Sequence, residues 1–174
     1  MKGCGQMSMI GNLRRLSDAD LQRLFGAPHE IISYLYENPP KGYGPFTDLN
    51  IDKAWHGIHY LLTGSAWGGE SPLGFLVNGG TAVGDEDVGY GPARGFSAKE
   101  VRAIAEALDE IDAETLRARF DPQAMMEADI YPAIWDRPLT EDDTLGYLLE
   151  YFAELREFIA EAAATGEALL VYIN

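Results

Sequence analysis

Polar and apolar positions separate most cleanly over residues 49–64 (LNIDKAWHGIHYLLTG). At roughly 100° per residue, Ile51, Ala54, Trp55, Ile58, Leu61 and Leu62 fall within about one third of a helix circumference, so the stretch is predicted as a helix with that stripe against the core. Asp52, His56, His59 and Thr63 form a narrower polar stripe beside it, at the spacings where helix side chains meet. Asp52 is therefore expected to reach His56, and His56 to reach His59. Polar groups aligned at a core boundary line either a pocket or a structural network, so any chemistry should centre here. Gly57 admits close approach of another backbone, and Gly64 is placed as the residue that ends the helix.

The same patterning predicts the other elements. Residues 7–13 (MSMIGNL) read as a strand, and Ser17 with Asp20 opens a helix ending near Gly26. Pro28 starts another, with Ile31, Ile32, Leu35 and Tyr36 at helical spacing. Residues 38–45 (NPPKGYGP) are expected to be irregular, because prolines and glycines deny both helix and ladder. Within the Gly-rich passage from Gly64 to Gly95, Ser71 and Pro72 suit the N-cap and first position of a short buried helix over residues 71–77, and residues 90–96 suit a strand. Ser97 and Glu100 make a capping box before the amphipathic Val101, Ile104, Ala105 and Leu108; Asp112 and Asp121 precede two short helices. Thr140 is placed as the cap of the longest helix, whose Leu145, Leu148, Leu149, Phe152, Leu155 and Ile159 share a face and which Gly166 ends. The apolar run 168–173 (ALLVYI) is a buried strand, and pairing it with residues 7–13 brings the termini together. The expected fold is α+β: one compact domain over residues 1–174, helix-rich, with a small mixed sheet that includes the N- and C-terminal strands, and with residues 1–6 as a short extension.

Composition narrows the function classes. The chain has 174 residues, 47% of them apolar, enough for one sizeable core. Its net charge of -15 opposes phosphate backbones and anionic lipid heads, so neither nucleic acid nor membrane is an expected partner. Residues 1–60 hold six acids and six bases whereas residues 61–174 hold 22 acids and seven bases, so the excess sits in the second part, where it keeps helix surfaces solvated or steers a basic partner. Cys4 is the lone cysteine, which excludes an internal disulfide and fits a cytoplasmic protein. No apolar run approaches the ~20 residues of a membrane span, and the first residues lack a secretory h-region.

The candidate ligand-binding residues are Asp52, Trp55, His56, His59, Thr63 and Arg94. Imidazoles one turn from a carboxylate are a ligand set for Zn or Ni, and a histidine held by Asp52 is a general base. H-E-x-x-H is absent, so no metal is assigned; histidines hydrogen-bonded at the core edge are the plainer reading. Trp55 on the apolar side is first a core residue. Ser65 and Ser71 do not satisfy G-x-S-x-G, and the glycines at 89, 91 and 95 lack G-x-G-x-x-G spacing, so no cofactor is implied. Arg94 is a lone cation between Lys53 and Lys99, expected in an internal ion pair, with Asp52 a possible carboxylate, or gripping a ligand's carboxylate. Asp85, Glu86 and Asp87 are read as a solvated loop.

Residues 7–13, the block Asp52 to Gly64, residues 91–94 (GPAR) and Tyr131 with Pro132 together resemble the YfbM-like family, bacterial proteins grouped as a domain of unknown function. The resemblance runs from about residue 7 to the C-terminus and implies a single cytoplasmic α+β domain. It carries over no reaction, cofactor or site residue. The function expected from the residues is a binding module, taking a basic protein through its acidic part, as an immunity-like protein would, or a small molecule along the polar stripe. The alternative is a small hydrolase or metal-dependent enzyme built on Asp52, His56, His59 and Arg94.

Overall fold

The apolar run at the C-terminus forms the middle of a sheet in this computed structural model, which describes residues 8–37 and 47–174. Met7, Cys4 and the irregular segment expected at 38–45 lie outside the described residues. Among the described residues the strands are β1 (Gly11–Leu16), β2 (Asp48–Asn50), β3 (Thr81–Ala82), β4 (Arg94–Phe96) and β5 (Ala168–Ile173), in the order β2-β1-β5-β4-β3. The expected α+β architecture is present, and so is the pairing of the chain ends, with Leu13 opposite Val171. Every neighbouring pair is antiparallel, so the sheet is not mixed.

β5 is apolar at successive positions because both of its faces are covered. Leu169 and Val171 join Leu13 and Phe96 against one cluster, while Ala168, Leu170 and Tyr172 join Leu16 against another. The second cluster is closed by α1 (Asp18–Gly26), capped by Ser17, whose hydroxyl accepts the Asp20 N–H at 3.0 Å. After it, the chain makes a 3-10 turn, Pro28–Glu30, and a π-helical turn, Ser33–Glu37, in place of the regular helix expected from Pro28. The first and larger cluster is closed by α2 (Trp55–Thr63), α3 (Ala98–Asp109), α4 (Ala113–Arg119), α5 (Pro122–Glu127) and α6 (Thr144–Ala164). The capping box of Ser97 and Glu100 and the caps Asp112 and Asp121 are all in place. Among the described residues no helix is long and apolar enough to cross a membrane.

Five elements differ from expectation, each for a local reason. The first strand runs on through Arg14 and Arg15, whose charges are met by Asp48 at 2.6 Å and by Glu167 at 2.7 Å. The helix expected over 49–64 begins at Trp55, because Asp48–Asn50 pairs with β1 and the Ile51 N–H is taken by the Gly11 carbonyl. Asp143, not Thr140, caps α6, accepting the Gly146 N–H at 2.9 Å. Residues 71–77 form overlapping turns instead of a helix, and the expected strand 90–96 shortens to Arg94–Phe96 behind the positive φ of Gly89 and Gly91.

α2 lies between β1 and α6 with a glycine at each contact. A Cβ on Gly11 would stand 2.8 Å from the Trp55 Cβ; one on Gly57 would stand 2.7 Å from a Leu148 methyl and 2.9 Å from the Trp135 ring. The neighbours that approach Gly57 are thus side chains, not the backbone that was expected. Gly57→Ala tests this: alanine gains about 1 kcal/mol of helix propensity, whereas overpacking costs about 1–3 kcal/mol. Both Leu148 methyls crowd the site, so the expected outcome in urea melts is a net loss; a gain near 1 kcal/mol would show that the contact relaxes freely.

Candidate functional site

Trp55 and His56 open α2, and their rings stack at 4.9 Å with planes 13° apart. Tyr131 stacks on Trp55 at 5.9 Å, and Trp67 leans on His56 at 4.4 Å. Trp55 is 2% exposed, as its stripe predicted, and its Nε1–H donates to the Met9 carbonyl at 2.9 Å, while the Met9 N–H donates to the Tyr131 hydroxyl. Trp67 is 60% exposed but held: its carbonyl accepts from Asn78 Nδ2 at 2.8 Å, and the same amide reaches the Gly68 carbonyl.

The two histidines are fully buried and differ in satisfaction. His56 Nε2–H donates to the Ala66 carbonyl at 2.8 Å and its Nδ1 accepts the Tyr131 N–H at 2.8 Å, which sets a neutral ring with the proton on Nε2. Burial lowers its pKa, against the Ala66 bond. His59 Nε2 is 3.5 Å from the Thr63 hydroxyl, at the outer limit of a hydrogen bond, and its buried Nδ1 has no partner among the described residues. Burial first, opposed by the Gly68 backbone and aided by the charges of His56 and Arg94, lowers His59 to about 4.

The other members of the stripe point elsewhere. Asp52 precedes α2 in the 3-10 turn Asp52–Ala54 with φ +49, and its carboxylate accepts from the Tyr147 hydroxyl at 2.8 Å rather than meeting His56. Thr63 turns its hydroxyl onto the His59 carbonyl at 2.8 Å, and Gly64 ends the helix with φ +74. Arg94 makes no ion pair among the described residues: it donates to the carbonyls of Phe75, Asn78 and Gly79, the turns that replace the expected helix. Asp52, His56, His59 and Arg94 therefore do not converge, and among the described residues no three His, Cys, Asp or Glu side chains are placed to share a metal.

What does form is a cavity of about 240 Å³ at the end of β5, whose lining includes Trp55, Trp67, Tyr90 and Arg94 together with the apolar Leu76 and Val171. Of the expected residues it holds Trp55 and Arg94. Trp67 and Tyr90 were not singled out in sequence; a tryptophan inside the glycine- and serine-rich run 64–71 was the available signal.

With this geometry in view, the similarities of the chain are informative. The profile of the domain of unknown function DUF1877 matches residues 7–172. The chain belongs to this family. A solved structure of similar fold is that of a protein of unknown function, YfbM from Escherichia coli, at a TM-score of 0.72 and 23% identity over 95% of this chain and 99% of that one. No curated protein matches the sequence. The likeness to that structure is one of fold, and the cavity has to be read from its own residues.

The contrast between the histidines is measurable. His56→Leu strands a backbone N–H and a carbonyl and is expected to cost about 2–5 kcal/mol, whereas His59→Leu removes an orphaned nitrogen and should cost far less or stabilise. Folded His59 stays neutral down to about pH 4 while an unfolded histidine protonates near 6.5, so the unfolded chain binds more protons in that window. Stability should therefore fall as pH drops from 6.5 to 4, by up to about 3 kcal/mol, and less in His59→Leu. Parallel slopes for parent and variant in melts across this range would remove His59 as the source.

Proposed function

We propose that this protein is a non-enzymatic binding module for a small planar molecule, seated in the cavity between Trp67 and Tyr90. The observation that carries the reading is Trp67: a large residue, mostly exposed, whose backbone carbonyl is held by Asn78 and whose ring is braced on His56 and Trp55. Fixing an aromatic at the surface before a ligand arrives removes part of the ordering cost of binding. At about 240 Å³ the cavity is below the ~300–1,000 Å³ of sites for drug-sized ligands, which suits a molecule of one or two rings.

Binding is favoured over catalysis by which titratable groups reach the cavity. They are Tyr90, Arg94 and Tyr172, and burial raises Tyr172 to about 12. None supplies a base poised near neutral pH, and both nitrogens of His56 are committed to backbone. A small ligand is favoured over a basic protein because, among the described residues, no Asp or Glu lines the cavity.

Indole is a suitable neutral probe. It is expected to quench the Trp67 emission and bind with a Kd on the order of 1 mM or tighter, and Trp67→Ala should weaken it by about tenfold, the worth of one aromatic contact. Because Trp67 is mostly exposed, the variant should melt close to the parent. Absence of binding to the parent at ~10 mM, well above that Kd, would overturn the reading.

A further inference from the structure

Arg94 is held at the cavity by both terminal nitrogens of its guanidinium. Nη1 donates to the Asn78 and Gly79 carbonyls, which uses both of its hydrogens, and Nη2 donates once, to Phe75 at 2.9 Å. Of the five donors of an arginine, Nε–H and the second Nη2–H are left. Nε and Nη2 share the guanidinium edge that grips the two oxygens of a carboxylate, and each keeps one N–H for a ligand. Arg94 makes no ion pair among the described residues, and the only side-chain nitrogen or oxygen both buried and without a partner there is Nδ1 of His59, so Nε is not sealed from solvent. Tyr90 and Trp67 line the same cavity, as do the apolar Leu76 and Val171.

Building on the reading of this cavity as a small-molecule site, we propose that its ligand is an aromatic carboxylate, with the ring against Trp67 and Tyr90 and the carboxylate on the free fork of Arg94. The three backbone carbonyls fix the guanidinium plane before the ligand arrives, so the fork needs no ordering. Carbonyls orient the group without neutralising its full charge, and that charge stays with the ligand. A carboxylate rather than a dianionic phosphate suits a site with two free donors in a chain of net charge -15.

Calorimetric titration with indole-3-acetate, its neutral amide indole-3-acetamide and the cation tryptamine separates this inference from the reading beneath it. The expected result is acetate at least about tenfold tighter than the amide, with tryptamine weakest. In Arg94→Lys, which keeps the charge and loses the fork, the acetate preference should collapse to within about threefold. Equal binding of acetate and amide to the parent would overturn the carboxylate assignment and leave the planar-ligand cavity standing. Failure of all three to bind would remove the cavity as well. An undiminished acetate preference in folded Arg94→Lys would overturn the fork; if that variant does not fold, the comparison in the parent decides the carboxylate.

Discussion

Helix α2 is seated between the sheet and its helical cover at two positions that lack a side chain. Gly11 lets the Trp55 Cβ settle on β1, and Gly57 lets Leu148 and Trp135 close on the other side. Interiors at crystal-like density have no slack to absorb an added methyl at either contact. The candidate site follows from that seat: Trp55 is stacked by His56 and Tyr131, its indole reaches Met9, and the next turn buries His59. Gly57 forfeits helix propensity in exchange for this proximity.

A second regularity explains how so much irregular chain stays ordered. Between Gly64 and Ala93 the described chain has a strand of only two residues, so its backbone groups need partners from outside a ladder. Side chains supply them. His56 takes the Ala66 carbonyl, Asn78 those of Trp67 and Gly68, and Arg94 those of Phe75, Asn78 and Gly79. The same device recurs where Arg119 meets Leu61, Trp135 meets Ile130 and Arg14 meets Tyr34. Polar residues that look like chemistry in a linear reading are, in the fold, substitutes for secondary structure.

That difference marks what could be read in advance. Local signals held: the caps at Ser17, Ser97, Asp112 and Asp121, the helix end at Gly64, the inward face of Trp55 and the pairing of the terminal strands. Each depends on residues a few positions apart or on an apolar run that has to be buried. Distant partners were not legible. Nothing near Arg94 in sequence announces the turns at 75–79, nothing near Asp52 announces Tyr147, and the charges of Arg14 and Arg15 hide a strand whose compensation comes from Asp48 and Glu167. Trp67 was overlooked because its neighbours are glycine and serine, a composition that suggests a loop and says nothing about a ring held in place.

The acidity of the chain and a cation-lined cavity are compatible because they occupy different places. The exposed carboxylates of Glu106, Asp109, Glu114, Glu150, Glu154, Glu157 and Glu161 lie on α3, α4 and α6, and none of them lines the cavity at the end of β5. At physiological ionic strength exposed charges separated by more than about 8 Å are largely screened. Arg94, partly withdrawn from water among aromatic walls, is screened much less, and its field dominates locally. A negative exterior then lowers the rate at which anions arrive without abolishing their attraction once inside, and it disfavours large polyanions more than a single carboxylate. On the proposed reading, net charge is then a filter on ligand size and charge rather than the binding determinant.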